Sequence, residues 1–216
     1  MCLSHTLRRY LTILLGTILF TVAFTSSLWA QYTAPPVWLF GHHAGLDFNS
    51  GTVLPITSAM ETHGAKSAIQ CDAAGDVLFY SNGLRIWDKM GNEMPGGENP
   101  LWPSVEWWKL NSIIVPDLSN TNRYFVFNTF PSDGNPPYGP PGTSTLTYTI
   151  VDMTLNGGLG GVVAGQANII LDINASDQMI VVPDDQCGYW LISSRGNIHV
   201  FGFKTYHITI AGINTV

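Results

Sequence analysis

Ile69-Gln70-Cys71-Asp72, Ile114-Val115-Pro116-Asp117 and Val181-Val182-Pro183-Asp184 repeat one pattern at three places in the chain. Each opens on an apolar residue and ends in Asp. Each is followed within a few residues by an aromatic-rich run: Val77-Leu78-Phe79-Tyr80, Tyr124-Phe125-Val126-Phe127 and Tyr189-Trp190-Leu191-Ile192. β-Branched and aromatic runs suit strands. Asp suits turns, because its side chain bonds the backbone two residues on. A recurring unit of strand, acidic turn and aromatic strand predicts a radial array of small sheets, a β-propeller. One such unit cannot bury its own apolar face, so the repeat implies neighbours packed against it.

Working outward, Val37-Trp38-Leu39-Phe40 reads as a strand, residues 41–45 as a turn, and Leu46-Asp47-Phe48 and Thr52-Val53-Leu54 as further short strands. This N-terminal hairpin lies outside the repeat. The first repeat runs over residues 67–95, with Asn82-Gly83 between apolar runs predicting a type I′ hairpin turn. A weaker fourth strand falls near residues 92–94. Residues 95–111 interrupt the pattern as a long surface loop, with a short helix near residues 105–110. The second repeat starts at Ser112. Its Pro/Gly stretch at 131–143 excludes regular structure, residues 145–152 form a strand, 155–161 an extended turn, and 168–173 an outer strand. The interval from Asp117 to Asp184 exceeds that from Asp72 to Asp117 by roughly this loop and turn. The third repeat starts near Gln178. Its strands at 189–193 and 198–203 pair across Arg195-Gly196-Asn197, and a fourth covers 206–210.

Composition agrees with a folded chain. Of 216 residues, 45% are hydrophobic and 11% charged, which excludes a highly charged disordered chain. Arg8 and Arg9 precede an apolar run from Tyr10 to Phe24, then Thr25-Ser26-Ser27 and Leu28-Trp29-Ala30-Gln31. That order is a secretory signal peptide with cleavage after Ala30. The apolar run is short for a bilayer span of about 20 residues. The fold expected is therefore all-β: a signal-peptide helix in residues 1–30, then an incomplete β-propeller in 31–216 of about three four-stranded blades plus the N-terminal hairpin. Lys and Arg total 9 against 15 Asp and Glu, and the leader removes two of the basic residues. An acidic exported domain gains nothing from counterion release on nucleic acid, and nothing from anionic membranes. Cys71 and Cys187 belong to different repeats with a whole repeat between them. A bridge needs Cα atoms within about 7 Å, so both are expected to be unpaired.

Several motifs carry a resemblance. Trp38-Leu39-Phe40-Gly41 with Ala44-Gly45-Leu46-Asp47-Phe48, residues 75–83 (GDVLFYSNG), Trp87 before Met94-Pro95, Ser112-Ile113-Ile114-Val115-Pro116, and residues 151–160 (VDMTLNGGLG) are similar to the N-terminal propeller-like region of exported Bacteroidetes proteins. Those proteins often carry gliding-motility-associated or type IX sorting domains at their C-termini. The likeness spans about residues 37–210. It implies a seven-bladed type of propeller on a secreted or cell-surface protein, and no catalytic residues. The chain departs from the pattern at His42-His43 and in ending after about three blades, so it is expected to be a fragment.

Candidate sites are few. Trp102, Trp107 and Trp108 on the long loop offer flat faces for sugar rings or a hot spot for a protein. Tyr138 centres the Pro/Gly loop, a second candidate for recognition. His42 and His43 lack the further Cys, Asp or Glu that a metal set needs and read as polar turn residues. Asp117, Asn120 and Asn122 alternate like calcium ligands but lack the final bidentate carboxylate. A turn-capping role explains Asp72, Asp117 and Asp184 together. No nucleophile elbow, zinc signature or phosphate loop is present, and the Gly-rich stretch at 157–161 lacks the dinucleotide spacing. No cofactor is expected. The expected function is a non-enzymatic exported binding or scaffold module that recognises an extracellular protein or glycan through blade loops. The alternative is a fragment of a carbohydrate-active propeller enzyme, a glycoside hydrolase or lyase. Open blade edges also predict self-association.

Overall fold

Short runs of β-branched and aromatic residues, broken by Asp, Asn, Gly and Pro, give fourteen strands among the described residues and no α-helix. The computed structural model of the protein describes residues 35–61, 66–98, 110–132, 134, 137, 139–196 and 202–215. The leader, the tryptophan loop with its short helix, and the start of the strand expected at 198–203 lie outside these residues.

The strands form three antiparallel sheets, none of them closed among the described residues. The first holds β1 (Val37–Phe40), β2 (His42–Asp47) and β3 (Leu54–Glu61); the second β4 (Ala68–Cys71), β5 (Val77–Ser81) and β6 (Ile86–Asp88). The largest runs from β7 (Asn111–Pro116) through β8 (Arg123–Pro131), β9 (Ser144–Asp152), β11 (Ile169–Pro183), β12 (Tyr189–Arg195) and β13 (Gly202–Thr209) to β14 (Gly212–Thr215). The short β10 (Gly161–Val162) adds to β9.

β11 is the hinge of the large sheet. Its first half pairs with β9, from Ile169↔Tyr148 to Ala175↔Ser144, and its second half with β12, from Met179↔Ser193 to Pro183↔Tyr189. Register shifts after Ile170, Asp172 and Ala175 let the strand bend as it changes partner. The outer strand of the second repeat and the first strand of the third are thus one strand of 15 residues. A second correction concerns the third repeat. Residues 203 and 206 share one strand, because β13 pairs with β12 without interruption from Arg195↔Gly202 to Tyr189↔Ile208. The fourth strand is β14. The first hairpin is also larger than expected: β3 completes a sheet of its own.

Three apolar clusters join these layers in chain order. Val37, Leu39 and Met60 of the first sheet pack with Tyr80 and Trp87 of the second, whose rings stack with centroids 5.5 Å apart. The second sheet turns Phe79 and Ile86 against Val126 and Val151, with Phe79 edge-on to Tyr124 at 5.3 Å. The alternate residues of β8, Phe125 and Phe127, point the other way and meet Leu191, Tyr206 and Ile208. The large sheet therefore folds back on itself at β11, and β8 is buried on both faces.

The Asp turns are the second organising device. In residues 72–76 the Asp72 N–H donates to Asp76 O at 2.9 Å, and Asp72 Oδ1 accepts from the N–H groups of Ala74 (2.8 Å) and Asp76 (3.0 Å). Gly75 takes φ 93° and donates to Asp72 O at 3.1 Å. Residues 184–188 repeat this arrangement around Asp184, with Cys187 at φ 65° in the place of Gly75. Asp117 caps a longer turn, accepting from Ser119 N–H at 2.9 Å while its own N–H donates to Arg123 O at 2.9 Å. The capping role read for all three residues is what the hydrogen bonds show. A fourth copy, unnoticed in the repeat, sits at residues 88–92, where Asp88 Oδ1 accepts from Met90 N–H (2.8 Å) and Asn92 N–H (3.0 Å).

One further expectation is corrected. Of Asn82 and Gly83 only Gly83 has a positive φ, 89°, so the turn is not type I′. The Asn82 side chain accepts from Leu84 and Arg85 N–H, both at 2.9 Å, and holds open a four-residue loop between Ser81 and Ile86. Cys71 is a free thiol, so it does not bridge to Cys187. Burial pushes the Cys71 thiol above its ordinary pKa, which favours the protonated form.

Phe127→Ala should cost about 3–5 kcal/mol, the range for truncating a buried aromatic side chain, read as a lowered urea midpoint. Thr147→Val, in the same sheet, should change stability by less than about 1 kcal/mol or raise it, because the Thr147 hydroxyl is buried without a hydrogen-bond partner among the described residues.

Candidate binding surface

Among the described residues β1, β4 and β7 are edge strands, each paired on one side only, and β4 runs alongside both of the others. Where they approach, they leave a groove of about 400 Å³. Its walls include Leu39 and Phe40 of β1, Ile69 of β4, and Ser112 and Ile114 of β7. The Ser67 hydroxyl crosses the wall to donate to Leu39 O. An apolar lining with a few polar groups is the usual makeup of a ligand site. The open sides of three strands add backbone donors and acceptors.

A second cluster lies at the last turn. Asp184 caps residues 184–188 with one oxygen and meets His207 Nε2 with the other, at 2.6 Å. The Asp184 side chain is buried and the imidazole partly exposed. Burial draws the Asp184 carboxyl upward in pKa. The hydrogen bonds from His207 and from the Gly188 and Gln186 N–H groups outweigh it, and hold the carboxyl below its ordinary value. An ionised carboxylate only accepts, so Nε2 of His207 carries the proton. The imidazole also stacks on Trp190, at 4.1 Å with the planes 7° apart. Asp184 was legible as a repeat residue. Its partners were not, since His207 and Trp190 meet only through the β12–β13 register.

The residues singled out from sequence fall differently. Trp102, Trp107, Trp108 and Tyr138 lie outside the described residues. Flanking Tyr138, the loop is tied down: the Ser132 hydroxyl bonds Gly139 O, and Thr143 Oγ1 donates to Pro140 O at 2.7 Å and reaches Ile173 O at 3.2 Å. A Cβ added at Gly139 would collide with the Ile173 carbonyl, so only glycine fits there. His42 and His43 stand at a β-bulge rather than in a turn. The register slips between His42 and Ala44, and His43 takes φ 61°. Their rings lie 4.3 Å apart, and His43 Nδ1 sits 2.9 Å from Ser58 O. Among the described residues, no three His, Cys, Asp or Glu side chains are grouped to hold a metal, and no helix is long and apolar enough to cross a membrane.

No family model, no curated protein and no solved structure matches the chain.

The Asp184 pair sets a pH dependence. A carboxyl held low in the folded state stabilises the fold above its unfolded pKa, and that stability is lost as pH falls through the folded value. Asp184→Asn should lower the urea midpoint at pH 7 and flatten its decline below about pH 4. A decline as steep as in the parent protein would show that Asp184 does not drive it.

Proposed function

We propose that the chain is an incomplete β-propeller acting as a non-enzymatic binding or scaffold module of an exported protein. One observation carries the reading. Four layers pack face to face in chain order: the first sheet, the second sheet, and the two halves of the large sheet either side of β11. The strand that begins each layer (β1, β4, β7 and the second half of β11) approaches that of its neighbour. Inner strands gathered about an axis are how propeller blades are arranged. On this reading the groove beside β1, β4 and β7 is part of a channel wall, and the first sheet is a three-stranded blade rather than a hairpin.

The resemblance to exported Bacteroidetes proteins supports the same reading in a specific way. Its motif at residues 75–83 covers the end of the Asp72 turn, β5 and the Asn82 loop. Its motif at 151–160 covers the end of β9 and the 3-10 turn at Asn156–Gly158. Those residues set chain direction, so proteins with different partners can share them. Export rests on the leader in residues 1–30, and recognition of an extracellular protein or glycan rests on Trp102, Trp107, Trp108 and Tyr138.

The test uses the full chain, expressed with its own leader and recovered from the exported fraction. Replacing Trp107 and Trp108 together by Ala should weaken binding to a glycan array or to cell-surface extract at least tenfold, with the β-sheet circular dichroism unchanged. Unfolding of that variant would mean the tryptophans are structural. Turnover of a glycan, abolished by a single Asp or Glu substitution, would replace the binding reading with an enzymatic one.

A further inference from the structure

The joint between the second sheet and the large sheet is apolar at one end and polar at the other. Phe79 and Ile86 meet Val126 and Val151 in the apolar half. Side chains two residues apart on a strand share a face. Ser81 of β5 therefore shares the face of Phe79, and Asn128 of β8 that of Val126, while Thr149 of β9 stands opposite Val126 in register. All three residues are buried. They line a cavity of about 10 Å³, whose wall also includes Asn168 and residues 83–86 and 96–98. That volume is room for a single water.

The polar groups on that wall complement one another. Asn128 Oδ1 is buried and has no hydrogen-bond partner among the described residues. The Ser81 hydroxyl accepts from Gly83 N–H at 3.0 Å, and the Thr149 hydroxyl accepts from Asn168 N–H at 3.0 Å. Each hydroxyl also carries a hydrogen to donate, and among the described residues neither hydrogen meets an acceptor. The wall thus offers two O–H donors and one bare acceptor. We infer that the cavity is a water site, in which one water accepts from Ser81 and Thr149 and donates to Asn128 Oδ1. Three hydrogen bonds are the usual number for a buried water. Other occupants fit less well. A calcium ion takes about six to eight oxygen ligands, and these side chains supply three. An apolar group would leave Asn128 Oδ1 buried and unpaired, and an anion would meet the same oxygen. The water is a structural link, joining β5 to β8 and β9 beside the apolar cluster.

A crystal structure of the full exported chain tests this directly. One water should lie within about 3.2 Å of Asn128 Oδ1, Ser81 Oγ and Thr149 Oγ1 together. In solution, water-oxygen magnetic relaxation dispersion should count one long-lived water fewer in Asn128→Leu, which keeps the side chain near its original size and removes the acceptor. Thr147→Val should leave the count unchanged, because Thr147 neighbours Asn128 in register but lies outside the wall. Circular dichroism checks that each variant is folded. If Asn128→Leu is not, Ser81→Ala carries the same expectation, and the parent crystal structure decides independently of both. An Asn128 Oδ1 bonded to another part of the chain, a dry cavity, or an equal water count in the parent and Asn128→Leu would overturn the inference. Density with several oxygens closer than about 2.6 Å would overturn it in favour of a cation.

Discussion

The burial of sheet faces against one another is the constraint from which the rest follows. A strand such as β8, with Tyr124 and Val126 on one side and Phe125 and Phe127 on the other, has no side to give to water. Alternation then distributes apolar residues to two cores rather than one core and one solvated surface. Such a sheet is unstable alone, and the chain must supply a layer above and a layer below. The order of the layers along the chain follows, because adjacent segments are the nearest source of a matching face. The turns serve the same end. An Asp that ties up its own backbone two and four residues on reverses the chain in five residues and needs nothing from neighbouring layers.

Much of the fold was legible in sequence because it depends on local chemistry. Each Asp of the repeat ended a strand and capped a turn, and the aromatic runs became β5, β8 and β12. The unread parts depend on pairing. Nothing local distinguishes two strands at 168–173 and 178–183 from one bent strand, since the bulges that join them exist only against β9 and β12. Asn-Gly signals a type I′ turn in isolation, but Asn82 is buried and donates its side-chain amide to Glu61 O at 2.8 Å. That tertiary bond overrides the local preference. Asp88 was not legible because its turn follows the short run Ile86-Trp87 and no aromatic run follows it, although Asp-x-x-Gly is shared with residues 72–75.

The surface was less legible. An aromatic residue such as Trp190 on a strand reads as core by type, and only the direction of the next layer decides otherwise. Its stacking on His207, and the bond from His207 to Asp184, join residues far apart in sequence through strand register. The groove beside β1, β4 and β7 is likewise a property of three edges brought side by side, each ordinary as a strand.

The sharing of β11 between two ladders bears on how such a chain can change over generations. Packing units end at the middle of that strand, after Ala175, whereas the repeated sequence unit begins near Gln178. A duplication or deletion cut at the packing boundary would sever a continuous strand and leave two ladders each short of an edge. A cut elsewhere in the repeat would carry the whole of β11, with both of its half-ladders, into the copy. The repeat boundary and the packing boundary thus both fall inside one continuous strand, a few residues apart. Layers can be gained or lost only when the donor strand of one and the acceptor strand of the next travel together.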